Sequence, residues 1–194
     1  MNKFLKKPSR VIVRGGIYLY AKVFHRVKIE GKKNIPKGEA LIYCANHRTY
    51  LDPAIITATA PQNVRFLGKA ELTKNWFFAL LAEIFDDIPV NRDSKDITAI
   101  KTSLKALKNG ECIGLFPEGT RNGLAKGEEV KDGAAFFTLR SGAKVIPIGI
   151  SGGTGKFDKV TVRYGKPLDF STYGKDDLEK VTDVIMEKII ELTK

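Results

Sequence analysis

Residues 112–121 read CIGLFPEGTR, an apolar strand pattern that breaks abruptly into a polar turn. Pro117 and Gly119 end the strand, because proline cannot donate to a sheet ladder and glycine permits a tight turn. The turn offers a carboxylate, a hydroxyl and a guanidinium, from Glu118, Thr120 and Arg121. Polar groups that follow a buried strand in this way predict a site at the carboxyl edge of a sheet.

A second segment has the same form. Residues 40–52 read ALIYCANHRTYLD, a strand pattern followed by a histidine and, five residues later, an aspartate. His47 and Asp52 are therefore expected beyond the end of a strand, at the same edge as Glu118. The two segments together predict one site built from two loops.

Strand and helix patterns alternate along the rest of the chain. The predicted strands are 40–44, 64–67, 88–91, 112–116, 145–150 and 159–164. The predicted helices are 9–24, 53–59, 71–85, 96–107, 133–141 and 176–192. This alternation predicts an α/β fold, with a central mixed, largely parallel sheet flanked by helices. No linker or repeat divides the chain, so we expect an N-terminal segment, 1–30, and one domain, 31–194.

The net charge of +11 is concentrated at the N-terminus. Residues 1–33 contain ten lysines and arginines and one acid, Glu30, whereas the remaining chain is nearly neutral. Cations interleaved with apolar side chains predict an N-terminal amphipathic helix at the surface of an anionic membrane. The alternative is a first helix packed on the domain, with a basic face in water.

Other uses of this basic segment are not favoured. Its longest uncharged stretch, 15–21, is too short to cross a bilayer, which takes about 20 apolar residues. Charges interrupt the apolar stretch and no cleavage pattern follows, so a signal peptide is not predicted. No nucleic-acid-binding motif is present, and nucleic acid is not an expected partner.

Cys44 and Cys112 each lie in an apolar strand pattern. This predicts two buried, reduced thiols and an intracellular protein. Neither cysteine belongs to a CxxC pair, so neither a disulfide nor a zinc site is predicted, and we expect no metal and no resident cofactor.

A histidine and a carboxylate five residues apart suit general-base chemistry. Histidine has an ordinary pKa of about 6.5, and a carboxylate on one ring nitrogen fixes the tautomer that leaves the other free to accept a proton. The alternative is structural, since Asp52 followed by Pro53 is a common helix start. The chain's other histidine, His25, lies in the basic segment and is interpreted as interfacial or structural.

Four blocks in order, across residues 30–165, resemble the 1-acyl-sn-glycerol-3-phosphate acyltransferase (lysophosphatidic acid acyltransferase) family. The first is residues 46–52, NHRTYLD, and the second begins with KAEL at 69–72 and closes with IPVNR at 88–92. The third is FPEGTR at 116–121 and the fourth is VIPI at 145–148. The third block is the most specific of the four.

The resemblance implies transfer of a fatty acyl group from a thioester to the sn-2 hydroxyl of lysophosphatidic acid. Acyl-CoA or acyl carrier protein would be the donor, at the cytoplasmic face of the membrane. His47 and Asp52 match the family's catalytic dyad. The expected substrate-binding residues are Lys69, Arg92, Glu118, Gly119, Thr120 and Arg121.

Chemistry gives these binding residues individual roles. Arg121 offers a bidentate fork to a phosphate monoester, and Lys69 or Arg92 offers a second charge. Glu118 is expected to bind a glycerol hydroxyl or to hold Arg121. Gly119 permits a tight turn whose backbone N–H groups face the ligand.

Two alternatives remain open from the sequence. The same chemistry could act on glycerol-3-phosphate or another lysolipid. A more distant alternative is a non-catalytic basic module that binds a membrane surface or nucleic acid. Residues 151–156, SGGTGK, look like a phosphate-binding loop, but the first glycine and the residue after the lysine do not fit that pattern.

Overall fold

The computed structural model describes residues 3–91, 96–123 and 130–194, with side chains from Leu5 onward. The strands in these ranges are β1 (Lys28–Glu30), β2 (Leu41–Ala45), β3 (Val64–Lys69), β4 (Ile88–Val90), β5 (Cys112–Leu115), β6 (Lys144–Gly152) and β7 (Val160–Tyr164). The helices are α1 (Lys3–His25), α2 (Asp52–Thr59), α3 (Trp76–Phe85), α4 (Ile97–Lys108), α5 (Gly133–Ser141) and α6 (Leu178–Thr193). Every predicted strand and helix has a counterpart among them.

The strands form one sheet in the order β1-β7-β6-β2-β5-β3-β4. The five strands from β6 to β4 are parallel, β7 runs antiparallel to β6, and β1 pairs in parallel with β7. The predicted mixed, largely parallel sheet is confirmed. The sequence pattern missed β1, because this short edge strand contains two charged residues and no apolar alternation.

Helices cover both faces of the sheet. Leu41 and Tyr43 of β2 face one side, where they join residues of α1 and α2, and Ile42 and Cys44 face the other, where they join α4, α5 and α6. All five residues of β2 are buried, as expected for a central strand between two helical layers. Cys44 and Cys112 are free and buried, and burial raises the pKa of the Cys44 thiol.

Helix α1 packs on the domain through its own cations. Lys6 forms an ion pair of 2.5 Å with Asp86, and the Arg10 guanidinium also contacts that carboxylate. Arg14 donates to the carbonyl of Ala60 at the C-terminal end of α2, where a positive charge is favourable. Burial lowers the pKa of Arg14, which nevertheless keeps its proton because a guanidinium pKa is so high. Three of the N-terminal cations therefore bind groups of the protein's own domain.

One further property of the helices bears on membranes. In the part of the chain that the structure describes, no helix is both long enough and apolar enough to cross a bilayer.

The parallel strands bring several loops to one edge. Strands β2, β3, β5 and β6 end there, followed by the loop 46–51, the 3₁₀ turn Ala70–Lys74 and the turn 116–123. The predicted helix 71–85 is divided, because Asn75 caps α3 by accepting a hydrogen bond from the Phe77 N–H. This edge holds the candidate site.

Candidate active site

Asn46 fixes the point at which the chain leaves β2. Its side-chain amide donates to the carbonyl of Ile150 over 2.9 Å and accepts from the N–H of the same residue over 2.7 Å. The backbone N–H of the next residue, His47, donates to Glu118 Oε1 at 3.0 Å, and its backbone carbonyl accepts from the Asn122 N–H at 2.7 Å. The two loops predicted from the sequence are therefore joined at the histidine.

The His47 side chain is paired with Asp52. His47 Nδ1 lies 3.0 Å from Asp52 Oδ2, and this oxygen also accepts the backbone N–H groups of Arg48 at 2.5 Å and Thr49 at 2.6 Å. Asp52 Oδ1 accepts the Thr49 hydroxyl at 3.0 Å. Asp52 is only 2% exposed, so these donors replace water around its carboxylate.

Asp52 also begins α2, as the structural alternative required. However, its carboxylate turns back toward residues 47–49 and does not cap its own helix, whose N-cap residue is Leu51. Because an ionised carboxylate only accepts hydrogen bonds, Nδ1 of His47 carries the proton in a neutral ring. The lone pair of the imidazole then lies on Nε2, where it can accept a proton.

An aromatic stack supports the histidine ring. The rings of His47 and Phe116 are stacked at 4.1 Å and 17°, and the Phe116 ring lies 5.5 Å and 18° from that of Phe66. A Cβ atom at Gly114 would approach the Phe66 ring to 2.6 Å, so glycine on β5 makes room for this ring. Sequence reasoning missed the stack, whose members lie far apart along the chain.

Most of the predicted residues surround one cavity of about 690 Å³. Its walls include His47, Lys69, Gly119, Thr120 and Arg121. The buried Glu118 instead holds the His47 loop through the hydrogen bond described above, a role that the sequence did not predict. The predicted Arg92 lies outside the described residues, and its role stays a prediction.

Two of the predicted cations line this cavity. The guanidinium carbon of Arg121 lies 3.8 Å from the centre of the Tyr50 ring, a stacking contact that holds the side chain in place. Lys69 Nζ lies 3.5 Å from a carboxylate oxygen of Glu71 and stays about half exposed. Tyr50 was not identified from the sequence, although it lies between His47 and Asp52 in the chain.

Gly119 forms the expected tight turn with a φ of +66°, a conformation that favours glycine. A Cβ atom there would lie 2.8 Å from the Lys131 side chain. The Gly119 N–H donates to the Phe116 carbonyl over 3.0 Å, so it closes the turn. This donor is used within the turn, and the expectation that backbone N–H groups of the turn face a ligand stays a prediction.

Away from the cations, the cavity walls become apolar. The buried side chains of Phe66 of β3, Phe85 of α3 and Ile88 of β4 line this inner part, together with the partly buried Ile17 of α1. Asp87 lies among them, and burial raises the pKa of its carboxyl to about 7. The cavity therefore combines a cationic rim, a histidine with a carboxylate partner, and an apolar inner end.

Comparisons with known proteins show the family to which this chain is similar. A sequence model of the Acyltransferase family matches residues 26–151. A 1-acyl-sn-glycerol-3-phosphate acyltransferase of Bacillus subtilis is 28% identical, over 99% of this chain and 96% of its own length. An enzyme of the same name from Borreliella burgdorferi is 26% identical, over 86% of this chain and 71% of its own length.

The fold also has a counterpart among solved structures. The crystal structure of the 1-acyl-sn-glycerophosphate (LPA) acyltransferase PlsC from Thermotoga maritima aligns with a TM-score of 0.68 and 26% identity. The alignment covers 96% of this chain and 82% of that protein. The resemblance found in four short blocks thus extends over nearly the whole chain, and the protein belongs to the Acyltransferase family.

Proposed function

We propose that this protein transfers a fatty acyl group from a thioester to the sn-2 hydroxyl of 1-acyl-sn-glycerol-3-phosphate, giving phosphatidic acid. The observation that carries the proposal is the His47–Asp52 pair beside a cavity with a cationic rim and an apolar inner end. The names of the relatives support the same acceptor. The donor would be acyl-CoA or acyl carrier protein.

In the proposed reaction, Nε2 of His47 removes the proton from the acceptor hydroxyl as its oxygen attacks the thioester carbonyl. The new C–O bond forms, the C–S bond breaks, and the proton passes from the imidazolium to the departing thiolate. Asp52 holds the ring and stabilises the positive charge that develops on it. The substrate's own hydroxyl is the nucleophile, so no acyl-enzyme is required.

The cations give the acceptor its orientation. Arg121 can hold two phosphate oxygens with its planar guanidinium, and Lys69 adds a point charge on the same cavity wall. Stacking on Tyr50 limits the motion of the Arg121 side chain before the ligand arrives. The apolar inner end offers a place for a fatty acyl chain, whose burial there is favourable.

The outer face of α1 fits a membrane surface. Five of its apolar residues are more than half exposed, and all of them except Val11 fall on one stripe of the helix: Leu5, Ile12, Leu19 and Val23. Trp76, at the start of α3, is 75% exposed. We therefore propose that α1 lies in the interface of an anionic, cytoplasmic membrane leaflet, with Lys6, Arg10 and Arg14 turned inward to the domain.

Thiol release from an acyl thioester tests the chemistry. We expect purified protein to release thiol only when lysophosphatidate is present in mixed micelles, and His47→Ala to lose this activity. His25→Gln is the matched control, because the other histidine does not line the cavity. Release without an acceptor would indicate a thioesterase, and no release from either donor would contradict the proposal.

Sedimentation with vesicles tests the membrane surface. We expect Ile12→Glu, on the outer face of α1, to weaken binding to vesicles that contain phosphatidylglycerol. Ile97→Glu makes the same change at a comparably exposed residue of α4, and it should bind as the unchanged protein does. Equal binding of the two variants would contradict an interfacial role for α1.

A further inference from the structure

Asp87 is a carboxyl group inside the cavity that the proposed chemistry does not use. Its Oδ1 accepts the backbone N–H of Phe66 at 2.8 Å, and the residue lines the same cavity as His47. Among the described residues of the cavity wall, it is the only one with a carboxyl group. A carboxyl group at this position is unexpected for a purely structural wall, because a charge in an apolar space is unfavourable.

The strand register places Asp87 well inside the cavity. Lys69 at the rim pairs with Val90 of β4, whereas Ile88 pairs with Leu67, so Asp87 lies level with Phe66. Three residues of a strand separate these levels, a distance of about 10 Å. A chain that enters past the rim thus meets Asp87 only after several methylene groups.

Few charges act on this carboxyl group. Arg65 on β3 and Arg10 on α1 favour its ionised form, and Asp86 beside it opposes ionisation. The residues that α2 and α3 contribute to this wall are uncharged: Pro53, Ala54, Thr57, Phe78, Leu81, Ala82 and Phe85. Burial outweighs the two arginines and the Phe66 N–H, and raises the pKa of Asp87 to about 7.

We propose that Asp87 limits how far a fatty acyl chain enters the cavity, and that the limit is relieved when its carboxyl group takes up a proton. The proposal rests on the function proposed above, in which this cavity holds an acyl chain. An alkyl chain that passes an ionised carboxylate displaces its water and forms no hydrogen bond with it, so the contact is unfavourable. A protonated carboxyl group loses far less hydration free energy when a methylene group displaces its water, so long chains are accepted at lower pH.

Competition between two donors measures this limit. Decanoyl-CoA and hexadecanoyl-CoA are offered together with lysophosphatidate, and the ratio of the two products is followed from pH 6 to pH 8. Both products come from the same enzyme at the same pH, so any effect of pH on the shared chemical step cancels in the ratio. With a pKa of about 7 for Asp87, the long-to-short ratio should fall about tenfold over this range.

Asp87→Asn should keep the ratio high and constant with pH, because the amide stays neutral and can still accept the Phe66 N–H. Asp169→Asn, an exposed carboxyl group remote from the cavity, should show the same fall as the unchanged protein.

A constant ratio in the unchanged protein, or the same fall in Asp87→Asn, would overturn the role of Asp87. The first of these results needs no variant to fold. Absence of both products at every pH would instead overturn the proposed function, and this inference with it.

Discussion

Replacing Asp52 by asparagine and by alanine separates its effect on the histidine from its effect on the loop. Its carboxylate takes four donors: the His47 ring, the N–H groups of Arg48 and Thr49, and the Thr49 hydroxyl. Asparagine keeps one carbonyl oxygen for the backbone donors, whereas alanine removes every acceptor. We therefore expect the two variants to differ in stability and to agree in loss of activity.

The stability difference follows from the donors left without a partner. An unsatisfied buried polar group costs about 1–3 kcal/mol. Because Arg48 and Thr49 are only partly buried, water can reach some of the donors, and Asp52→Ala should lose about 2–4 kcal/mol in its free energy of unfolding. Asp52→Asn should lose about 1 kcal/mol or less, which urea denaturation of both variants can measure.

The activity loss follows from the missing charge. A carboxylate bonded to an imidazolium stabilises it by about 1.4–4 kcal/mol, so both variants should lose about 10- to 1,000-fold in kcat. The KM for lysophosphatidate should change little, since Asp52 faces the histidine and not the cations. An Asp52→Asn enzyme within threefold of the original kcat would refute the proposed dyad. Equal destabilisation by asparagine and alanine would refute the argument from the backbone donors.

Three further predictions follow from the site. Gly114→Ala should lower kcat about tenfold, because the added Cβ would press on the Phe66 ring of the aromatic stack that supports His47. A second change, Phe66→Leu, should restore part of the lost activity, and a double variant with no such recovery would contradict this explanation. Arg121→Gln should raise the KM for lysophosphatidate about tenfold, with Arg121→Lys intermediate, as steady-state titration of the acceptor would show. Asp87 has its pKa raised from 3.8 to about 7, so its neutral form favours folding, and this contribution is lost as pH rises from about 4 to 7. The free energy of unfolding of Asp87→Asn should therefore exceed that of the unchanged protein by an amount that grows with pH, up to about 4 kcal/mol at pH 8. Urea denaturation of both proteins at pH 5 and pH 8 measures this difference, and a difference that is the same at both pH values would contradict the raised pKa of Asp87.

The central strands could be predicted because burial on both faces leaves an apolar run in the sequence. Residues 40–44 and 112–116 are such runs, and the observed strands β2 and β5 agree with them within one residue. The edge strand β1 has no such signal, since its pairing with β7 depends on backbone hydrogen bonds and not on apolar side chains. The order of the strands is a tertiary property that alternation alone does not determine.

The site was predictable where it is local. The His47–Asp52 contact lies within one loop, so its spacing could be found in the sequence. The bond from the His47 N–H to Glu118 joins residues 71 positions apart, and Asp87 enters the cavity from a third element. Such contacts depend on how strands align, and no local pattern records them.

The charges of α1 show the same limit. Composition predicts a basic amphipathic helix, but it does not tell which cations face the domain. The structure turns Lys6, Arg10 and Arg14 inward, to Asp86 and to backbone carbonyl groups of other elements. The membrane interpretation therefore rests on the apolar stripe of the helix more than on its net charge.

The product of a single turnover tests the central claim most directly. Excess protein is mixed with a labelled acyl thioester and 1-acyl-sn-glycerol-3-phosphate, and the lipid product is identified by mass spectrometry with fragmentation. We expect one new ester at the sn-2 oxygen for each thiol released, and no product with His47→Ala. Faster acylation of glycerol-3-phosphate, transfer to water, or an intact reaction in His47→Ala would contradict it.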